Sequence, residues 1–239
     1  MTDGWAESAE AWIARIGERG DWRREHVLDP AMLELLEGRR FARALDVGCG
    51  EGRFCRLLEN TVDITIGIDP TARLIDQARA HDPAGQYFLA RAEQLPFAAA
   101  SFDLVVSYLS LIDIPDFRTG ILEMVRVLAP GGTLLIANLT GLVTAGAPKR
   151  WVEDENGQNL YYPLDRYLEE HDYWDSWAGI RVINRHRPLS AYMTALLEAG
   201  LQLRVFDEPN PRSGDPARQA RYRRVPWFMV MEWQQPLTT

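Results

Sequence analysis

The run Leu45-Asp46-Val47-Gly48-Cys49-Gly50-Glu51-Gly52-Arg53-Phe54 constrains the fold more than any other part of the chain. It reads as a buried strand, a glycine-rich turn and the first turn of a helix. Glycine takes positive φ at little steric cost and has no Cβ to hold a ligand away, so such a loop can approach a nucleotide-like ligand closely. The helix that follows presents unpaired N–H groups at its start. A second apolar strand, Ile64-Thr65-Ile66-Gly67-Ile68-Asp69, ends in a carboxylate 21 positions after Gly48. At that spacing, on the tip of the next strand, a carboxylate can accept hydrogen bonds from a ribose diol.

The rest of the chain extends this unit. Apolar residues at helical spacing predict an N-terminal helix over 5–18, and Asp29-Pro30 starts a second over 29–37. Strands follow near 43–47, 64–68, 86–90, 103–107 and 132–138, with helices near 52–59, 71–80 and 116–128. Gly131-Gly132 is read as the end of the third of these helices. A helix over 190–199 and strands over 201–207 and 226–233 complete the pattern, the loop between the last two being exposed. Such alternation implies an α/β fold, a doubly wound sheet with helices on both faces. Ligands of these sheets bind at the carboxyl ends of the strands, where Gly48, Asp69, Glu93 and Ser107 all fall.

The 239 residues suit one α/β domain with or without a cap, and 46% hydrophobic residues supply a core. A net charge of −8 speaks against a broad nucleic-acid footprint. No apolar run reaches membrane-spanning length, and the acidic start Met1 to Glu7 is unlike a secretory signal. Cys49 and Cys55 flank a loop-to-helix junction that disfavours a disulfide, so reduced thiols and a cytoplasmic setting are expected. No residue cluster has metal-ligand spacing, so no metal is expected.

A dinucleotide fingerprint places its third glycine at position 53, which is Arg here. The G-x-G-x-G spacing, with Asp46 before it, resembles class I S-adenosylmethionine-dependent methyltransferases with a type 11-like domain. Ala92-Glu93-Gln94-Leu95-Pro96-Phe97, Ser101 to Ser107 and Leu128 to Leu134 resemble later motifs of that family, in the family's order, over roughly residues 40–140. The resemblance implies a Rossmann-like seven-stranded sheet, mostly parallel, with a C-terminal antiparallel strand. It implies S-adenosylmethionine as cofactor, held by Asp46, Gly48, Cys49, Gly50, Gly52, Asp69, Pro70, Ala92, Glu93, Ser107 and Tyr108. Where the family often has an Asp for the adenine amino group, this chain has Arg91, which cannot accept a hydrogen bond. Glu93 is then the substitute acceptor or a surface group. The stretch from Trp177 to Phe228 also resembles a bacterial small-molecule subgroup, without naming a substrate.

Residues 1–40 are expected as N-terminal lid helices, 41–140 as the cofactor-binding core, 141–187 as an aromatic cap and 188–239 as the completion of the sheet. Trp5, Trp12, Trp174 and Trp177 are the candidate acceptor-binding rings, for a small aromatic or heterocyclic molecule methylated at O or N. Methyl transfer needs alignment and exclusion of water, and a base only if the acceptor must lose a proton. Asp113, His186 and Tyr108 are the catalytic candidates. Asp113 interrupts an apolar run, so it is either a helix cap or a site group. Other functions compatible with such a sheet are a nicotinamide-dependent oxidoreductase, a non-catalytic binder of S-adenosylmethionine, and an RNA or protein methyltransferase. Oligomeric state is not legible.

Overall fold

The computed structural model describes residues 3–146 and 151–237. Residues 147–150, inside the expected cap, lie outside the described residues. The elements in chain order are α1 (Trp5–Ile16), a π-helical turn (Arg24–Leu28) running into α2 (Asp29–Glu34), β1 (Phe41–Val47), α3 (Arg53–Leu57), β2 (Val62–Asp69), α4 (Ala72–His81), β3 (Gln86–Leu89), β4 (Phe102–Tyr108) and α5 (Phe117–Val127). They continue with β5 (Leu128–Leu139), α6 (Gly141–Ala145), β6 (Val152–Glu153), β7 (Asn159–Tyr161), β8 (His171–Trp177), β9 (Ile180–His186), α7 (Leu189–Glu198), β10 (Gln202–Asp207), α8 (Pro216–Tyr222) and β11 (Phe228–Gln234).

Seven strands form one sheet in the order β10-β11-β5-β4-β1-β2-β3. β11 runs antiparallel to both its neighbours, and the remaining pairs are parallel. The fold is therefore the expected α/β, Rossmann-like, doubly wound sheet. Its order reverses at β1, which lies between β4 and β2. Crossovers leave β1 on opposite sides there, and their loops part to open a crevice at the strand ends.

Period-two alternation sorts the strand side chains onto two cores. On one face Leu45, Val47, Ile66, Ile68, Val105 and Ile136 pack with Phe117, Ile121 and Met124 of α5 and Tyr192 and Leu196 of α7. On the other, Ala44, Leu104, Val106, Leu135 and Phe228 pack with Val27, Leu28, Ala31 and Met32. Each fully buried Leu or Ile contributes roughly 1.5–3 kcal/mol, so burial on both faces accounts for the near-continuous apolar runs of the central strands.

Three local expectations differ from the structure. β5 begins at Leu128 rather than near 132. Gly131 at φ 77° carries the strand through a turn, and the pairing with β4 shifts register between Phe102 and Leu104. The expected exposed loop before β11 holds α8, capped by Asp215, whose carboxylate accepts from the Arg218 N–H, with Pro216 at the first helical position. The stretch 141–187 contains two antiparallel hairpins, β6–β7 and β8–β9. The second hairpin docks on α1: the Ile183 N–H donates to the Asp3 carbonyl, and Ser8 Oγ donates to the Arg181 carbonyl.

Candidate active site

The glycine loop leaves β1 with Gly48 at φ 79°, and both Gly48 and Cys49 N–H groups donate to the Ile68 carbonyl at the end of β2. A Cβ at Gly48 would lie 2.4 Å from the Ser110 Cβ, so the position must be glycine. Gly50, at φ 56°, meets nothing closer than the Trp12 indole at 3.9 Å, and its open side faces the crevice. Asp69 stands at the tip of β2. One of its oxygens accepts from the Gly50 N–H at 3.1 Å and the other from the Thr71 N–H at 2.8 Å. The residue also lines the crevice.

Asp46 is buried beneath the loop. Cys55 Sγ donates to its Oδ2 at 3.4 Å, while Oδ1 has no partner among the described residues. Burial pushes this carboxyl up to about 7, opposed by the Cys55 contact and assisted by the charges of Asp69 and Glu51. Burial likewise lifts Asp69 to about 6, against its backbone hydrogen bonds. Three carboxylates, Asp46, Glu51 and Asp69, thus surround one glycine loop. Two of them are destabilised as anions by burial, which a bound cation relieves.

The facing wall comes from β4 and the loop after it. Ser107 Oγ lies 2.7 Å from Ser110 Oγ, which donates to the Val47 carbonyl and so ties this wall to β1. Leu109 adopts φ 57°, an uncommon conformation for a non-glycine residue at the wall of a site. Asp113 follows, half-buried as a residue, with Oδ1 buried and without a hydrogen-bond partner among the described residues. Burial pushes it up to about 7, against the opposing influence of the Trp5 side chain and the Arg185 charge. β9 holds this loop in place. The Arg185 N–H donates to the Ile112 carbonyl, the Arg185 guanidinium to the Asp113 carbonyl, and Arg187 to the carbonyls of Leu111 and Ile114.

A second cavity opens beside the crevice. Trp5, Trp12, Arg24, Leu109 and Asp113 line both. Away from the crevice its walls are aromatic: Trp151, Tyr162, Tyr173, Trp177 and Trp227. Trp151, Tyr162 and Trp227 meet edge to face at 5.5 and 5.6 Å between ring centres.

Most residues singled out in the sequence converge here. Asp46, Gly48, Cys49, Gly50, Asp69, Pro70, Ala92, Glu93 and Tyr108 line the crevice, Trp177 lines the aromatic cavity, and Trp5, Trp12 and Asp113 line both. Four residues do not join them. Gly52 packs against the Tyr87 ring, and Ser107 sits behind the wall, supporting Ser110. Trp174 points outward, 40% exposed, with the Arg181 guanidinium 3.9 Å from its ring centre. In the β8 alternation Trp177 lies on the opposite side from it, so only one of the two can face the cavity.

His186 is the fourth. It is buried, with Nε2 2.8 Å from the Tyr167 carbonyl and Nδ1 2.7 Å from Thr144 Oγ1. A carbonyl only accepts, so Nε2 carries the proton and Nδ1 takes the Thr144 hydroxyl. Burial lowers its pKa. Both nitrogens are engaged outside either cavity, so the ring braces α6 against β9. Tyr108 lines the crevice as a wall, because its hydroxyl donates to Asp29 Oδ1 at 2.7 Å and burial raises its pKa well above the ordinary value.

Some site residues carried no local signal. Glu51 Oε2 accepts from the Trp12 indole at 3.0 Å and joins α1 to the glycine loop. Arg24 lies over the Trp12 ring at 4.8 Å and is paired with Asp21. Arg53, in place of the third dinucleotide glycine, forms a buried ion pair with Asp29 and donates to the Arg19 carbonyl. Arg91 pairs with Glu93 at 3.5 Å on the rim of the crevice.

A family model described as a methyltransferase domain matches residues 45–136. The malonyl-(acyl-carrier protein) O-methyltransferase of Salmonella typhimurium is 37% identical over 115 residues, covering 48% of this chain and 45% of that protein. The O-methyltransferase rstn1 of Aspergillus nomiae is 35% identical over 152 residues, covering 58% of this chain and 67% of that protein. The chain thus spans less than half the length of the malonyl-carrier relatives and two thirds of the second protein. A crystal structure of an S-adenosylmethionine-dependent methyltransferase from Mesorhizobium loti superposes with a TM-score of 0.77 at 26% identity, covering 91% of this chain and all of that one. The chain belongs to the class I S-adenosylmethionine-dependent methyltransferase family.

Proposed function

We propose that the protein is a methyltransferase that uses S-adenosylmethionine to methylate a small aromatic or heterocyclic acceptor at oxygen. The observation that carries the proposal is the pair of joined cavities, one ringed by buried carboxylates and the other by aromatic rings, with Asp113 lining both. The unpartnered Asp46 Oδ1 suits the cofactor's ammonium group, Asp69 its ribose hydroxyls, and the open face of Gly50 a close backbone approach. Pro70, Ala92 and Glu93 border the space for its base. When bound, the cofactor supplies an electrophilic methyl group whose former bonding pair stays on sulfur.

The chain's own part is to align and to take a proton. An acceptor hydroxyl beside Asp113 gives its proton to the carboxylate, which frees the oxygen lone pair to form the new carbon–oxygen bond. Trp5 and Trp12 close over the junction and exclude water. Of the expected lid over residues 1–40, α1 supplies the part that faces the crevice while Val27, Leu28, Ala31 and Met32 pack on the sheet; 141–187 act as the cap and 188–239 as the rest of the sheet. Relatives named as O-methyltransferases support oxygen as the methylated atom. Among the described residues no helix is long and apolar enough to cross a membrane. Reduced Cys49 and Cys55 suit a cytoplasmic enzyme.

A nicotinamide dinucleotide fits less well. Its pyrophosphate would bring negative charge to a loop already facing Asp46, Glu51 and Asp69, and Arg53 fills the third glycine position. Thermal unfolding with S-adenosylmethionine, S-adenosylhomocysteine, NAD and NADP separates the two. A ligand at 100 times its Kd adds about 2.7 kcal/mol. Stabilisation by adenosylhomocysteine, with methyl turnover on phenolic acceptors, is expected; stabilisation by NAD or NADP alone overturns the proposal. Binding without turnover on any acceptor leaves a non-catalytic binder.

A further inference from the structure

The aromatic cavity has opposite polarity at its two ends. At the junction with the crevice stands a lone acceptor, Asp113 Oδ1, buried and unpartnered. At the end remote from the crevice the unmet groups are donors. Among the described residues the indole N–H groups of Trp151 and Trp227 are buried without a hydrogen-bond partner, and a buried donor left unmet costs about 1–3 kcal/mol. Two arginines at the open side of the same cavity, Arg23 and Arg221, are exposed, the first with its guanidinium 5.9 Å from the Trp227 ring centre, and neither forms an ion pair among the described residues. Of the carboxylates of this cavity, Asp21 is held by Arg24 and accepts from the Arg23 and Arg24 N–H groups, while Asp175, on β8, accepts from the Ser176 N–H through one oxygen and acts electrostatically on Tyr173. Positive charge continues onto the rim, where α8 and the residues after it carry Arg218, Arg221, Arg223 and Arg224 with no acidic residue between them. In a chain of net charge −8 this is a local reversal of sign.

Taking the proposed methyl transfer as its basis, we propose that the acceptor is a planar hydroxylated aromatic acid. Its hydroxyl meets Asp113, its ring lies among the aromatic walls, and its carboxylate meets Trp151, Trp227, Arg23 and Arg221. A carboxylate satisfies several donors at once and a guanidinium binds it in a two-pronged way, so the far end selects an anion over a neutral amide of the same shape. The hydroxyl passes its proton to Asp113 and its lone pair to the methyl carbon, while the carbon–sulfur pair remains on sulfur. The carboxylate takes no part in bond making.

The test uses the full chain loaded with S-adenosylhomocysteine. Binding of p-hydroxybenzoic acid, p-coumaric acid and hydroxynaphthoic acid is measured by calorimetry at pH 8, each beside its primary amide. At least one acid is expected to bind about tenfold more tightly than its amide, from charge-assisted hydrogen bonds. In Arg221→Gln, and in Trp227→Phe as a second variant that keeps an aromatic ring without the N–H, this preference falls at least threefold, and in turnover kcat/KM for the acid falls in step. If no acid outbinds its amide, or if both variants keep the full preference, the inference is wrong although the cofactor reading stands. If adenosylhomocysteine itself fails to bind, the proposed function falls and this inference with it.

Discussion

The Trp12 indole N–H donates to Glu51 Oε2 at 3.0 Å, so the N-terminal helix is latched to the glycine loop 39 residues away. Glu51 is buried, and among the described residues its carboxylate has this one side-chain donor. Trp12→Phe keeps the ring and removes the donor, leaving a buried carboxylate short of a partner at a cost of about 1–3 kcal/mol. Chemical denaturation should show that loss. Adenosylhomocysteine should dissociate faster from the variant in stopped-flow measurements, and an unchanged off-rate would show that α1 does not close the site.

Asp46, Asp69 and Asp113 make the ligand-free protein pH-dependent in an unusual direction. Burial holds them near 7, 6 and 7, above the unfolded carboxylate value of about 3.9. Between those limits the folded state binds more protons than the unfolded state, so their contribution is full below about pH 4 and is lost as pH rises through 6 to 7. Asp46→Asn removes one such group. Urea unfolding at pH 5 and pH 8 should show a smaller fall in the variant than in the parent, by about 1–3 kcal/mol. Adenosylhomocysteine affinity should fall at least about tenfold, because the ammonium loses its buried counter-charge.

Under the proposed function, Asp113 and His186 are expected to separate catalysis from scaffolding. Asp113→Asn should lower kcat by about 100-fold or more with little change in cofactor affinity, as expected for loss of a general base. The parent rate should rise with pH toward a plateau, with a midpoint near or below 7, and the variant should lack that limb. His186→Ala should do the reverse: a stability loss of about 2–3 kcal/mol from two broken buried hydrogen bonds, with kcat within a few-fold. A 100-fold loss of kcat in a folded His186→Ala would reverse these assignments.

Arg53 tests the distinction from dinucleotide loops. Arg53→Gly recreates the third glycine spacing but strips Asp29 of its guanidinium and leaves Tyr108 as its side-chain donor. Removing one partner of a buried pair costs about 3–5 kcal/mol. Equilibrium unfolding should show a loss in that range and calorimetry no NAD binding. A loss below about 1 kcal/mol would mean that the pair does not hold the N-terminal segment on the loop.

Local chemistry determined the core of this protein. Gly48, Gly50 and Asp69 act through backbone φ and spacing along adjacent strands. Both are properties of short stretches of chain, so the crevice was legible from the amino-acid sequence alone. The same local cues misplace the start of β5, because two glycines mark a break without saying that the strand continues past it. The aromatic cavity was decided elsewhere. Its walls come from residues as far apart as Trp5 and Phe228, and which ring turns inward depends on how the β8–β9 hairpin docks on α1. Trp174 and Trp177 look alike as residues, yet strand alternation sends one to solvent and the other to the cavity. His186 and Asp113 were equally plausible bases by type. Only tertiary packing gives every ring nitrogen of His186 a partner and leaves one oxygen of Asp113 without any, because hydrogen-bond satisfaction in a buried site depends on contacts distant in sequence.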